Sequence, residues 1–200
     1  VGGYGRAARY SKTTIPQKGL PKDEVLRALE DFRQKDVPWR EGKAFGYVFD
    51  AKHDALDAGK KAYLAFLSEN GLDPTSFPSL LRLENEVIRM CANHVHGDEK
   101  VVGNFTSGGT ESIILAMKAA RDWARVHRPD VKTPRILAPV TAHAAFHKAA
   151  HYLGVAIDTF AADPGTYRAD VAAGRAAIGP DTIALIGSAP SYAHGVVDDI

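Results

Sequence analysis

Cysteine is almost absent: Cys91 is the single one among 200 residues. This excludes an internal disulfide framework and any cysteine-built metal cluster, and a reducing, cytoplasmic setting fits best. Neither sign of charge is in excess, with 25 Lys and Arg against 24 Asp and Glu and a formal net charge of +1. No basic stripe interleaved with aromatics occurs, which argues against nucleic acid as a partner. No apolar run approaches the roughly 18 residues that a membrane helix needs. The start, Val1-Gly2-Gly3-Tyr4-Gly5-Arg6, lacks the charged-then-apolar layout of a signal peptide. Both ends of the sequence read as cut, and neither an internal repeat nor a low-complexity segment is found.

What is present is enough apolar material, 45% of residues, for one sizeable core. Residues 1–20 are Gly-rich and basic and read as an arm. Pro21 suits a first helical turn, followed by the stripe Val25, Leu26, Leu29 and Phe32. A second stripe, Leu56, Tyr63, Leu64 and Leu67, predicts a helix closed by a left-handed cap near Asn70-Gly71. "SFPSLLRLENEVIRMCANHV" predicts a strong amphipathic helix, with His94 as a satisfied helix residue and His96 in the turn after it.

Beyond residue 96 the pattern changes. Residues 101–106 read as a strand, followed by a helix to about His127 that Pro129 stops. Strands are predicted at 135–140, 155–160 and 182–187, and helices at 142–153, closed by Gly154, and at 170–178. This alternation predicts an α/β fold, a mostly parallel sheet with helices on both faces, preceded by a helical N-terminal segment. The expected division is residues 1–95 for arm and helices and residues 96–200 for the first half of a large α/β domain.

In such sheets ligands gather beyond the carboxyl ends of the strands. Ser107-Gly108-Gly109-Thr110 stands at one such end, directly before a helix. Unpaired N–H groups and the helix dipole favour an anion there, the glycines permit its close approach, and the Ser107 and Thr110 hydroxyls are candidate donors. The stretch lacks the Lys-Ser/Thr of a nucleoside triphosphate loop and the G-x-G-x-x-G of a dinucleotide site, so one phosphate monoester fits better. A plain helix cap is the alternative reading. Glu111 suits the dipole but repels an anion placed too near it.

Two further junctions point to the same edge. His143 follows a predicted strand and begins a helix, where an imidazole can stack on a flat ring or transfer a proton. His147 and His151 lie one and two turns on, but without acidic partners they make a polar helix face rather than a metal site. Ser188 and His194 follow the last strand, which completes a plausible cofactor pocket. No G-x-S-x-G elbow occurs to support a serine hydrolase.

Three segments together, "TSGGTESIILAMKAARDWA", "APVTAHAAFHKAAHYLGV" and "GSAPSYAHGVVDDI", resemble the group II pyridoxal-phosphate-dependent decarboxylases, and among them the lyases of sphingoid phosphates. The resemblance runs from about Phe45 onward. It implies the aspartate-aminotransferase-like fold, fold type I, acting as a homodimer with pyridoxal 5'-phosphate as cofactor. It also implies that Ser107, Gly108, Gly109 and Thr110 hold the cofactor phosphate and that His143 stacks on its ring as a catalytic residue. Ser188 is then expected near the cofactor and His194 near the substrate. The family's Schiff-base lysine and the aspartate that pairs with the pyridine nitrogen lie downstream of "HGVVDDI"; Lys148, inside a helix after a strand junction, is not that lysine.

The implied activity is carbon–carbon cleavage at the α-carbon of an amine or amino-acid-like substrate, such as a phosphorylated sphingoid base. The alternatives are an amino-acid decarboxylase or a non-catalytic fragment of such an enzyme. Where the sphingoid phosphate lyases carry Asn-Pro-Leu-His-Pro, this chain has Asn70-Gly71-Leu72-Asp73-Pro74. Asp73 is either a charge that repels a substrate phosphate or a cap in a helix-to-helix turn.

Overall fold

The computed structural model describes Ile15 and residues 17–200, so most of the expected arm lies outside the described residues. The chain divides into two compact units, Val1–Asp50 and Ala51–Ile200.

In the first unit, helix α1 (Lys22–Arg33) begins one residue later than the sequence suggested, with Pro21 as its cap. Asp23 and Glu24 in the first turn and Arg33 in the last complement the helix dipole. The stripe is present, but Val25, Leu26, Leu29 and Phe32 are all exposed. A short 3-10 turn, Trp39–Glu41, closes on Gly42 in the left-handed region.

The second unit opens with α2 (Lys52–Ala65) and α3 (Pro78–His94). Helix α2 stops at Ala65 without a glycine cap, and Gly71 is not among the glycines of positive φ. The expected cap near Asn70-Gly71 is therefore corrected: Asn70 instead accepts the Leu72 N–H, and Asp73 organises the turn into α3. His94 ends α3 as an exposed residue, and His96 takes a left-handed conformation in the turn beyond.

Residues 101–106, read as a strand, have no regular secondary structure and form no ladder. A strand needs a neighbour for its N–H and C=O groups. Here the segment runs beside α3, where Gly103 fits against Ile88 and the Arg89 guanidinium donates to the carbonyls of Asp98 and Val101.

The rest follows the predicted alternation: α4 (Gly109–His127), β1 (Arg135–Pro139), α5 (Ala144–Leu153), β2 (Ala156–Phe160), α6 (Val171–Ala177) and β3 (Thr182–Leu185). The three strands form a parallel sheet in the order β2-β1-β3. The crossovers carrying α5 and α6 run in opposite directions along the sheet. With the usual right-handed connection they therefore cover opposite faces. Gly154, left-handed at φ 62°, caps α5 as its place in the sequence suggested. Asp170 caps α6 by accepting the Ala173 N–H.

The core gathers around central β1. Ile136 and Ala138 of β1 and Ile186, just past β3, meet Met117 of α4, Ala149 and Ala150 of α5, and Val155. The small alanines let α5 lie close to the strands, and Gly174 does the same for α6. A Cβ there would come within 3.0 Å of the Phe160 ring.

Candidate functional site

The direction of α4 decides where its N-terminus lies. At its far end, the Arg128 guanidinium donates to the carbonyls of Pro180 and Thr182, at the start of β3. Arg121 donates to the carbonyl of Leu153 at the end of α5 (3.2 Å), and is itself held by Asp122. Helix α4 thus runs antiparallel to the strands, and its glycine-led N-terminus points to their carboxyl edge. The loops after β1, β2 and β3 leave the sheet at that same edge.

The glycine turn is built by local hydroxyls. Thr106 Oγ1 donates to the Gly108 carbonyl at 3.1 Å and lies 2.7 Å from Ser112 Oγ. With that carbonyl turned into the helix, where it also accepts the Ser112 N–H, the N–H groups of Gly109, Thr110 and Glu111 have no acceptor among the described residues. The Thr110 hydroxyl has no partner there either. A Cβ on Gly108 or Gly109 would meet nothing within 4 Å, so the space in front of the helix is open.

Glu111 has a defined place in this turn. Its Oε2 accepts from both the N–H (2.7 Å) and the Oγ (2.6 Å) of Ser107. This resembles the reach-back of a capping box, shifted to the residue before the Gly108 N-cap. The Ser107 hydrogen bonds hold the Glu111 carboxyl below its ordinary value of 4.5. In this arrangement both donors of Ser107 are engaged, while the N–H groups of Gly109, Thr110 and Glu111 and the Thr110 hydroxyl stay free among the described residues.

At the second junction His143 is the N-cap of α5, and its Nδ1 accepts the Ala145 N–H at 3.0 Å. An accepting Nδ1 carries no proton, which leaves Nε2 as the donor of the neutral ring and fixes the ring's pose. The imidazole is exposed, and its centroid is 6.0 Å from that of Tyr192 on the third junction. His147 and His151 stay on the exposed side of α5, and Lys148 Nζ lies 5.5 Å from the Tyr152 ring centroid.

The third junction depends on a residue the sequence reading did not single out. Asp198, only 4% exposed, accepts the Ser188 N–H through Oδ2 and the Ala169 N–H through Oδ1, each at 2.8 Å. The Asp198 N–H donates back to the Ser188 carbonyl. Between them residues 191–196 make a tight turn, Ser191 N–H to Val196 and Gly195 N–H to Ser191, with His194 at its tip. An aspartate inside the apolar run "GVVDDI" was the available signal, because a buried carboxylate needs donors.

The Ser107 to Thr110 turn, His143 and Ser188 with His194 thus share one edge of the sheet. Two hydroxyls near it, Thr141 Oγ1 and Ser191 Oγ, are buried without a partner among the described residues. Free N–H groups at a helix start, a free threonine hydroxyl and a posed imidazole fit a flat molecule ending in one phosphate.

No model of a protein family matches the chain. Sphingosine-1-phosphate lyase of Drosophila melanogaster is 39% identical over 192 residues, 96% of this chain and 35% of that protein. A probable L-aspartate decarboxylase of Pyrococcus furiosus is 36% identical over 93% of this chain and 47% of its own length. The solved sphingosine-1-phosphate lyase of Burkholderia pseudomallei superimposes with a TM-score of 0.85 at 32% identity, covering 98% of this chain and 47% of that one. Glutamate decarboxylase of Lactobacillus brevis shares the fold, at a TM-score of 0.74 and 18% identity over 94% of this chain and 44% of its own. The chain spans about a third of the Drosophila protein and under half of the other three.

Proposed function

We propose that this chain, homologous to the sphingosine-1-phosphate lyases and built on the fold type I architecture they share with the group II decarboxylases, is the phosphate-holding part of a pyridoxal-phosphate-dependent carbon–carbon lyase. The observation that carries the reading is the shared carboxyl edge of the glycine turn, His143 and the 188–198 loop, in a chain alike to the lyases over nearly its whole length.

When bound, pyridoxal phosphate supplies an electron sink that stabilises charge left at a substrate α-carbon. The chain's own contribution is binding and orientation. The N–H groups of Gly109 and Thr110 and the Thr110 hydroxyl would hold the phosphate, Gly108 would leave room for it, and the α4 dipole would offset its charge. Ser107 stays on Glu111 and shapes the turn. The His143 ring, pinned through Nδ1 to Ala145, would stack on the cofactor ring when that is bound and would offer its Nε2 proton toward it. Ser188, fixed by Asp198, would flank the bound cofactor, and His194 would be the group on the substrate side.

Decarboxylation uses the same sink, and the P. furiosus relative favours it as the second reading. Asp73 does not decide between them. Its carboxylate accepts from the Thr75 N–H and Oγ1 and from Ser76 Oγ, and the Thr75 hydroxyl chiefly holds its carboxyl below the ordinary value. That supports the turn-cap reading over a substrate-repelling charge.

We place the enzyme in the cytoplasm as a homodimer, with an amine substrate such as a phosphorylated sphingoid base. Among the described residues no helix is long and apolar enough to cross a membrane. The exposed Leu83, Val87 and Met90 on α3 support burial against further protein. Incubating the full-length protein with sphingosine phosphate and with acidic and aromatic amino acids tests the activity. Long-chain aldehyde from the phosphate is expected; carbon dioxide from an amino acid with no aldehyde would overturn the lyase in favour of the decarboxylase.

A further inference from the structure

We infer that Tyr167 is a positioning residue for His194: it is the face against which the turn after β3 holds its imidazole. The two rings are stacked, with centroids 4.9 Å apart and an interplanar angle of 17°. The inference rests on the reading of His194 as a substrate-side group and adds an element, the β2–α6 turn, that carries none of the motifs of the other two junctions.

The backbone shows that this stack is built. Tyr167 has φ +59°, a left-handed conformation that an aromatic residue rarely adopts unless its surroundings impose it. Asp163 does so: its Oδ1 accepts from the N–H groups of Gly165 and Thr166 and from Thr166 Oγ1. The Asp163 carbonyl accepts the Tyr167 N–H at 2.8 Å, and the Asp163 N–H donates to the Arg168 carbonyl at 2.8 Å. Two residues on, the Ala169 N–H donates to the buried Asp198 carboxylate that also holds Ser188.

The β2–α6 turn and the turn after β3 are thus joined at their bases by Asp198 and at their tips by Tyr167 on His194. Asp198 fixes the backbone beneath His194 but cannot restrain an exposed imidazole beside Gly195, itself left-handed at φ 69°. The ring stack supplies that restraint.

The test compares Tyr167→Ala and Tyr167→Phe in the full-length protein. The first readout needs no cofactor: the rate at which diethyl pyrocarbonate modifies His194 in apo protein, followed by peptide mass spectrometry. Tyr167→Ala is expected to speed modification by about two- to tenfold, the range an aromatic pair accounts for, while Tyr167→Phe keeps the native rate. The second readout is steady-state kinetics: KM is expected to rise in Tyr167→Ala and to be rescued in Tyr167→Phe, with pyridoxal phosphate affinity unchanged in both. A native modification rate in Tyr167→Ala, or a Phe variant as reactive as the Ala variant, overturns the inference. Faster modification with native kinetics upholds the positioning of His194 and refutes its substrate-side role.

Discussion

The first and third junctions sit at the same edge of the sheet but are held in different ways. The Ser107 to Thr110 turn is made by its neighbours in sequence: Thr106, Ser112 and Glu111 all act within six residues. The 188–198 loop is held across the fold by one buried carboxylate that reaches back to Ala169, 29 residues earlier. The first leaves donors free for an anion, and the third spends its donors on shape. A donor-bearing turn can therefore be carried as a short motif, whereas the placement of the 188–198 loop is a property of the folded α/β layer.

Breaking the long-range tie is therefore expected to cost the most. Asp198→Ala leaves the N–H groups of Ser188 and Ala169 without their acceptor, and a loss of about 3 kcal/mol is expected in denaturant unfolding of the full-length protein. A loss confined to the first junction's phosphate affinity would contradict it. Gly174→Ala probes the same layer more gently. Its Cβ would press on Phe160 at 3.0 Å. Overpacking of about 2 kcal/mol, less about 1 kcal/mol of improved helix propensity, leaves a net loss of about 1 kcal/mol in the same measurement.

Glu111→Gln sharpens the local side and has the smallest effect. The Glu111 carboxyl is held below 4.5 by Ser107, so its contribution is present above that value and lost as pH falls through the lowered folded one. The native protein should be the more stable at neutral pH, and its advantage over Glu111→Gln should vanish on acidification below 4.5. Parallel stability curves would refute the Ser107 contact.

The same contrast explains what could be read from the residues alone. Helix starts and stops are local, so α4, α5 with its Gly154 cap and the three strands appear nearly where periodicity placed them. The segment 101–106 had a strand's composition, but pairing depends on a neighbour that sequence does not specify. The supposed cap at Gly71 failed because α2 had already ended and Asp73 offered a better turn. The Ser107 contact with Glu111 is likewise set by the folded turn rather than by either residue alone. Asp198 stands out in the sequence only as a carboxylate in an apolar run, its partners being distant, and the imposed φ of Tyr167 leaves no signal in spacing.

The central claim is that the α4 glycine turn holds the cofactor by its phosphate. It is tested most directly by titrating full-length apo protein, native and Thr110→Val, with pyridoxal phosphate and with pyridoxal. Losing the Thr110 hydroxyl from a charged acceptor should weaken pyridoxal phosphate by about tenfold, and should leave the already weaker pyridoxal unaffected. An equal penalty for both ligands, or none for either, would contradict the account.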